Sequence, residues 1–261
     1  MQRTRRRKIL LWLSLIIVLL VTVGYLFRYP LILRFQVARL KTLHCGSAEN
    51  ACQQRIWAHR VNSTQRYDIL QNKFDGFEMD VIYVNSTASF SVLHPPAVSK
   101  DDTLSLAGFF KNVGTDNKNF WLDTRFVDST NMNEALVALT KLKDQYPILR
   151  NCIIEVYFAP VAELFARHGY IVSFNVSERW LRDLPGNKLL QDSLNKKIEA
   201  VRYVSQEAQY LPVIKKLFPE KRILTWQLSI NDFIDTHPIQ KLLDDPQVEI
   251  VLVNIKSRFF R

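Results

Sequence analysis

Two acidic residues, Glu78 and Asp80, stand two positions apart in an apolar, strand-like sequence, GFEMDV at residues 76–81. Alternate residues of a β-strand share a face, so both carboxylates are expected to point the same way. Two carboxylates on one buried face repel each other and are costly to bury without a cation. Their oxygen atoms suit a hard divalent ion such as Mg²⁺ or Ca²⁺, and the sequence therefore predicts a metal site here.

A histidine closes the strand-like segment on either side of this pair. His59, followed by Arg60, ends the sequence WAH at residues 57–59, and His94 ends the sequence VLH at residues 92–94. Two imidazoles beside a metal are the groups that metal-assisted acid/base catalysis uses. An enzyme is therefore the first functional hypothesis.

The segments that must position these residues alternate between strand-like and helix-like sequence. Leu136, Leu139 and Leu142, for example, have helical spacing after a predicted strand. About eight strand-then-helix repeats favour an α/β fold in which a parallel sheet closes into a (β/α)8 TIM-type barrel. A doubly wound open sheet is the alternative, but the chain has no glycine-rich dinucleotide or P-loop fingerprint. The predicted strands are 55–59, 76–84, 89–94, 119–125, 152–158, 170–174, 200–204, 223–228 and 248–253.

Catalytic side chains of such barrels lie at the carboxyl ends of the strands. Polar residues that are scattered in sequence but share this position are therefore expected to meet. His59, Asp80, His94, Arg125 and Ser173 all lie at or near the ends of predicted strands.

The amino-terminal segment has the pattern of an uncleaved membrane anchor. Basic residues between positions 3 and 8 precede an uncharged apolar run from Ile9 to Phe27. As a helix this run would span about 28 Å, close to the thickness of the bilayer core. The basic flank predicts a single-pass membrane protein with a cytoplasmic N-terminus and a periplasmic or extracellular domain. The predicted parts are a tail and transmembrane anchor at 1–28, a juxtamembrane segment at 29–54 and the barrel at 55–261.

The net charge of +10 reflects this anchor more than any partner. Residues 1–28 hold six of the 35 basic residues and no acidic ones, which leaves 29 basic against 25 acidic residues in the rest. So mild an excess does not predict nucleic-acid binding.

The three cysteines differ in their surroundings. Cys45 and Cys52 lie in a short polar stretch after the anchor, where an oxidising compartment would favour a small disulfide loop; two surface thiols are the alternative. Cys152 precedes two isoleucines and has the pattern of a core residue. No Cys/His spacing is typical of a zinc site.

The residues around the acidic pair resemble those of glycerophosphodiester phosphodiesterases. This resemblance rests on His59-Arg60, Glu78-x-Asp80, His94 and the later sequence DTR at residues 123–125. The sequences WAH, EMDV, HPP and LDTR are more similar still to the menorin family, which belongs to the same phospholipase-like barrel superfamily.

The resemblance implies a role for each matching residue. Glu78, Asp80 and Asp123 would bind one divalent metal, Mg²⁺ or Ca²⁺. Glu155 is not part of the match, but its place in an apolar predicted strand makes it a further candidate ligand or a partner of Arg125. His59 and His94 would act as general base and acid on a phosphodiester. The residues that would hold phosphate or substrate are Arg60, Arg125, Asn62 and Trp226, the last as a pocket wall. A simple salt bridge is the alternative for Asp123 and Arg125.

The sequence also departs from the phosphodiesterase pattern. Val61, Asn62 and Ser63 follow His59-Arg60, where those enzymes usually have glycine and then a Pro-Glu-Asn stretch, and the third acidic ligand is aspartate instead of glutamate. These departures favour the menorin-like branch. Three functions stay open: a membrane-anchored phosphodiesterase-like hydrolase acting on a glycerophosphodiester or a lipid headgroup, a lyase that releases a cyclic phosphate, and a catalytically lapsed barrel that serves in binding or envelope assembly.

Overall fold

The computed structural model describes residues 2–45, 51–93, 104–113, 117–227 and 235–255 of the 261-residue chain. In these ranges the nine strands lie where the sequence predicts them, with shifts of a few residues at their ends. The strands are β1 (Ile56–Ala58), β2 (Gly76–Val84), β3 (Ser89–Val92), β4 (Asn119–Arg125), β5 (Ile153–Val156), β6 (Ile171–Asn175), β7 (Tyr203–Glu207), β8 (Arg222–Trp226) and β9 (Val248–Val253).

Helices connect most of these strands on the outside of the sheet. One of them, α4 (Leu106–Val113), was not expected from the sequence, although it buries Phe109 and Phe110. The helices of the described ranges are α1 (Gln2–Leu40), α2 (Ala51–Arg55), α3 (Thr64–Leu70), α4, α5 (Met132–Gln145), α6 (Ala159–Arg167), α7 (Glu178–Asp183), α8 (Lys188–Lys197), α9 (Leu211–Leu217) and α10 (His237–Leu243).

Eight parallel strands close into a barrel, which confirms the predicted (β/α)8 fold. The sheet runs in the order β1-β9-β8-β7-β6-β5-β4-β2, and a β1–β2 pairing joins its two edges. The ninth strand, β3, corrects the expectation of an all-parallel sheet, because it pairs antiparallel with β2 outside the barrel. Only Asn85–Ala88 separate β2 from β3, and so short a link permits a hairpin but no crossover.

A small hydrophobic cluster fills the inside of the barrel below the open end. Trp57 and Trp121 are its largest members, and both are buried. Gly76 makes room for this packing, since a Cβ atom at that position would lie 2.0 Å from the Trp57 ring. The interior is therefore closed by aromatic rings at the amino ends of the strands and open to polar chemistry at their carboxyl ends.

Helix α1 passes without a break through residue 28, where the sequence suggested the end of the anchor. Its last turns pack on the barrel, with Leu33 and Leu40 buried, and Gln36 Nε2 donates a hydrogen bond to the Asn254 carbonyl at 3.3 Å. Just beyond the helix, Cys45 and Cys52 form a disulfide. Within the described ranges no helix is found to be long and apolar enough to cross a membrane, so the anchor stays a prediction.

Candidate active site

Three carboxylates meet at the carboxyl end of the barrel. Glu78 and Asp80 lie two residues apart on β2 and point inward, and the β2–β4 register sets Asp123 directly beside Asp80. One oxygen from each of the three lies within 4.8 Å of the others. All three side chains are buried. The predicted one-sided pair on β2 is therefore part of a three-carboxylate cluster, which we call the acidic trio.

The acidic trio is electrostatically strained without a cation. Burial, together with the negative charges of Asp80 and Asp123, holds the pKa of Glu78 well above its usual range. Burial also raises the pKa of Asp123, although the Arg125 guanidinium opposes this shift. Three buried carboxylate oxygens at this separation fit a hard divalent cation such as Mg²⁺ or Ca²⁺, which would favour the ionised form of each acid.

Arg125, the last residue of β4, faces two members of the acidic trio. Its Nη2 atom lies 2.8 Å from Asp123 Oδ2 and 3.6 Å from Asp80 Oδ1. About a third of the Arg125 side chain is exposed. The guanidinium therefore balances part of the negative charge and also reaches the solvent side of the cluster.

Neutral side chains orient the trio from the other side. Asn62 Nδ2 donates to Asp80 Oδ2 at 2.7 Å, and Asn62 Oδ1 accepts from the Asp80 backbone N–H at 2.9 Å. The Tyr157 hydroxyl donates to Asp123 Oδ1 at 2.7 Å. Asn62 thus contacts a metal-ligand candidate in the structure, and its role in phosphate binding stays a prediction.

His59 follows β1 directly and faces the trio. Its Nε2 atom lies 3.5 Å from Glu78 Oε2, and its Nδ1 atom lies 2.8 Å from Asn254 Oδ1. The Asn254 amide is oriented by a bond from Nδ2 to the Gln227 carbonyl, so Oδ1 accepts and the His59 proton sits on Nδ1. Nε2 is then left with a lone pair that faces the cluster.

The surroundings of His59 favour its neutral form. Burial, followed by the positive charge of Arg60, lowers the pKa of His59 to about 4. Arg66 on α3 holds the backbone in place, since its Nη2 atom donates to the His59 carbonyl at 3.1 Å. The fixed imidazole therefore keeps a free lone pair at neutral pH, and the same burial makes it a weaker base than an ordinary histidine.

Arg60 adopts a backbone conformation that is unusual for a side chain of its size. Its φ angle is +57°, and its N–H donates to Glu78 Oε2 at 2.7 Å. The Arg60 side chain lines a cavity of about 80 Å³ together with His59, the acidic trio and Arg125. Trp226, at the end of β8, also lines this cavity.

Glu155 lies deeper in the barrel and has its own partners. Trp121 Nε1 donates to Oε2 at 2.6 Å, and Asn175 Nδ2 and Ser205 Oγ donate to Oε1 at 2.6 and 2.7 Å. Burial nevertheless raises the pKa of Glu155 to about 8, and the Asp123 charge adds to this shift. Glu155 lines the same cavity but is not a member of the acidic trio.

Of the residues singled out in the sequence, one lies outside the described part of the chain and another is not brought into this cluster. His94 lies outside the described residues; the residue before it, Leu93, donates its N–H to the Asp80 carbonyl at 3.1 Å. Ser173 lies inside β6 and is completely buried. The structure thus joins His59, Arg60, Asn62 and Arg125 to the acidic trio.

Sequence reasoning missed Asn254 and Tyr157. Asn254 stands 195 positions from His59, and only the closure of the barrel between β1 and β9 brings them together. A usable signal was present for Asn254, because it directly follows the predicted strand at 248–253. Tyr157 lies inside the predicted strand at 152–158, and only the structure shows that it follows the end of β5.

The barrel is similar to solved glycerophosphodiester phosphodiesterases. The one from Thermotoga maritima gives a TM-score of 0.55 at 13% identity over 76% of this chain and 93% of its own. The one from Parabacteroides distasonis gives 0.54 at 13% identity over 76% and 91%. A phosphodiesterase from Oleispira antarctica, solved with its product sn-glycerol-3-phosphate, gives 0.51 at 13% identity over 76% and 92%.

At these identities the likeness establishes the fold alone. No protein-family model matches the chain, and no curated protein matches its sequence.

Proposed function

We propose that this chain is a metal-dependent phosphodiesterase-like hydrolase that acts on a glycerophosphodiester or on the phosphodiester of a lipid headgroup. The observation that carries the proposal is the acidic trio beside a neutral His59 whose Nε2 lone pair faces it. The same end of the barrel is where this fold places catalytic groups. The solved phosphodiesterases of the same fold add support.

The residues divide the work in a way that follows from their contacts. Glu78, Asp80 and Asp123 would hold one divalent ion, Mg²⁺ or Ca²⁺, which would supply positive charge for the phosphate oxygens. Arg60 and Arg125 are proposed to hold phosphate oxygens from the open side, where charge builds up as the phosphorus is attacked.

Proton transfer is proposed to run between two histidines. His59 Nε2 accepts the proton of a water molecule whose oxygen attacks phosphorus. The bond from phosphorus to the leaving alcohol breaks, and His94 is proposed to give that alcohol its proton. If a substrate hydroxyl attacks instead of water, the same groups give a cyclic phosphate, which is the lyase alternative.

The membrane anchor and the menorin-like branch belong to this proposal as well. Basic residues followed by the uncharged run Ile9 to Phe27 support a single-pass anchor with the barrel outside the cytoplasm. In α1 the side chains from Leu15 to Val21 are all exposed, as a bilayer-embedded helix requires. The WAH, EMDV, HPP and LDTR sequences support the menorin-like branch.

One observation favours a second function, a lapsed barrel that binds a partner without reacting. Arg125 already supplies a cation to Asp80 and Asp123. Such a guanidinium partly replaces the charge that a metal would bring. In this alternative the purified protein binds no divalent ion tightly and turns over no phosphodiester.

The deciding experiment measures turnover by the full-length protein in detergent. The substrates are bis(p-nitrophenyl) phosphate and glycerophosphodiesters, with Mg²⁺, Ca²⁺ or Mn²⁺ and with chelator. We expect metal-dependent release of a phosphomonoester, lost in His59→Ala and retained in Glu199→Gln, which changes an exposed acid far from the site. Activity that survives both chelator and His59→Ala contradicts the proposed site, whereas a cyclic phosphate product identifies the lyase.

A further inference from the structure

Two contact points fix the direction in which α1 crosses the barrel. Gln36 bonds to Asn254, which follows the carboxyl end of β9. Four residues later, Leu40 and the next residue, Lys41, line a crevice with Ile56, the first residue of β1, and Phe74, which precedes β2. Helix α1 therefore runs antiparallel to these strands, and its amino-terminal part extends beyond the open, carboxyl end of the barrel.

One stretch of α1 beyond the barrel, from Leu15 to Val21, is apolar around its whole circumference. Each side chain from Leu15 to Val21 is between 49% and 66% exposed, and seven consecutive helical residues cover every direction. A protein groove would cover one face only, whereas a bilayer covers all of them. The exposure also shows that this part of α1 does not fold back onto the barrel.

A second apolar feature lies at the same open end. Outside α1, two phenylalanines are exposed in the described part of the chain: Phe126 directly follows β4, and Phe158 lies two residues after β5. These strands are neighbours, so the two rings lie on adjacent loops beside the cavity. Phe126 is 62% exposed and has a φ of +61°, a costly conformation for a bulky residue that keeps its ring out of the core.

The length of α1 fits an open end that touches the headgroup layer. From Gln36 to Phe27, where the uncharged run ends, the helix rises by about 14 Å. The headgroup layer takes roughly 5–7 Å of this distance, which leaves a gap that a short loop can cross. Arg28 and Arg34 are exposed on the stretch between, where basic side chains can reach anionic headgroups.

We infer that α1 holds the open end of the barrel against a membrane, with Phe126 and Phe158 in the headgroup layer. The catalytic cavity then faces the bilayer, and its substrate is the phosphodiester of a lipid in that same bilayer. The choice of substrate rests on the proposed phosphodiesterase function, whereas the orientation rests only on α1 and the two rings.

The orientation can be measured without any turnover. The full-length protein carries one new cysteine, Phe126→Cys, Phe158→Cys or Glu199→Cys, labelled with an environment-sensitive dye. Glu199 is the control, because it is exposed and its carbonyl bonds to Lys221 at the opposite end of the barrel. Selective labelling is feasible, since Cys45 and Cys52 are paired and Cys152 is buried. The vesicles contain phosphatidylethanolamine, phosphatidylglycerol and a nitroxide-labelled lipid.

We expect the nitroxide lipid to lower the fluorescence at positions 126 and 158 by about twofold or more, because interfacial side chains lie roughly 5–10 Å deep. The dye at position 199 should keep its fluorescence. Equal quenching at 126 and 199, or no quenching at the open end, overturns the orientation. So does a dimer that forms through α1 and leaves all three positions unquenched. Quenching at 126 and 158 in a protein that turns over no phosphodiester would support the orientation and contradict the proposed hydrolase function.

Discussion

Two buried acidic sites lie side by side in this barrel, and they differ in what surrounds them. Glu155 receives three hydrogen bonds from neutral donors, which satisfy both of its oxygens. In the acidic trio three such donors, from Arg60, Asn62 and Tyr157, are shared among three carboxylates that each place an oxygen within 4.8 Å of the others. The comparison teaches that burial alone does not indicate a metal site; the balance between donors and like charges does.

The largest expected effect is a difference in catalysis between variants of the acidic trio and variants of Glu155. Glu78→Gln should lower kcat/KM for a phosphodiester by about 10²–10³-fold, because it removes one charged group that positions the cation. Glu155→Gln should change kcat/KM by less than about tenfold, since Glu155 accepts hydrogen bonds inside the barrel and does not belong to the acidic trio. Steady-state kinetics at saturating Mg²⁺ or Ca²⁺ check both, with Glu199→Gln as the matched control. Equal losses of kcat/KM in Glu78→Gln and Glu155→Gln would contradict the proposed difference between the acidic trio and Glu155.

Divalent metal should stabilise the protein through the acidic trio and not through Glu155. At a free concentration of about 100 times Kd, the ion adds about 2.7 kcal/mol to the free energy of unfolding. Thermal melts with metal and with chelator should show this gain in the natural protein and in Glu155→Gln. Retention of the gain in Glu78→Gln would place the ion elsewhere.

In the metal-free protein, Glu155→Gln should lower the free energy of unfolding more than Glu78→Gln does. Above about pH 8, where Glu155 is ionised, Glu155→Gln leaves one of the donors Trp121, Asn175 or Ser205 facing an amide NH₂, and should cost about 1–3 kcal/mol in urea unfolding. Glu78→Gln should be neutral or stabilising under the same conditions, because it removes a repelling carboxylate while its remaining oxygen still accepts from Arg60. A large destabilisation by Glu78→Gln would mean that the trio is a structural ion-pair network.

A further effect is a pH dependence of the metal-free protein. The pKa of Glu155 is raised from 4.5 to about 8 on folding, so the native state binds more protons between these values. Stability should therefore be greatest near pH 4.5 and fall as pH rises towards 8. Glu155→Gln should flatten this slope in urea unfolding series made with chelator. A stability that rises across the same window would contradict the assigned direction.

Much of the fold was accessible from local sequence pattern, because strands and their carboxyl ends are encoded by short apolar runs. One such run extends from Gly76 to Val84, and its strand pattern correctly predicted that Glu78 and Asp80 share one face of β2. The antiparallel course of β3 was also encoded, in the short link after Val84, but counting strand-then-helix repeats obscured it.

The partners of the site were less accessible, since they depend on closure of the barrel. The sequence around Glu155 does not indicate that Trp121 on β4 and Ser205 on β7 donate hydrogen bonds to it. Likewise, the pairing of Asn62 with Asp80 depends on how the loop after β1 folds over β2. Sequence pattern thus predicts which residues reach the open end, and tertiary contacts decide what each one does there.

The pairing of β1 with β9 has a consequence for how the protein is made. Ile56 pairs with Val251, so at about 5–20 residues per second roughly 10–40 s pass on the ribosome between the two strands. During that time one edge of β1 is unpaired, and the Asn254 side chain that orients His59 does not yet exist. His59 is therefore held by this partner only once the final strand has closed the ring.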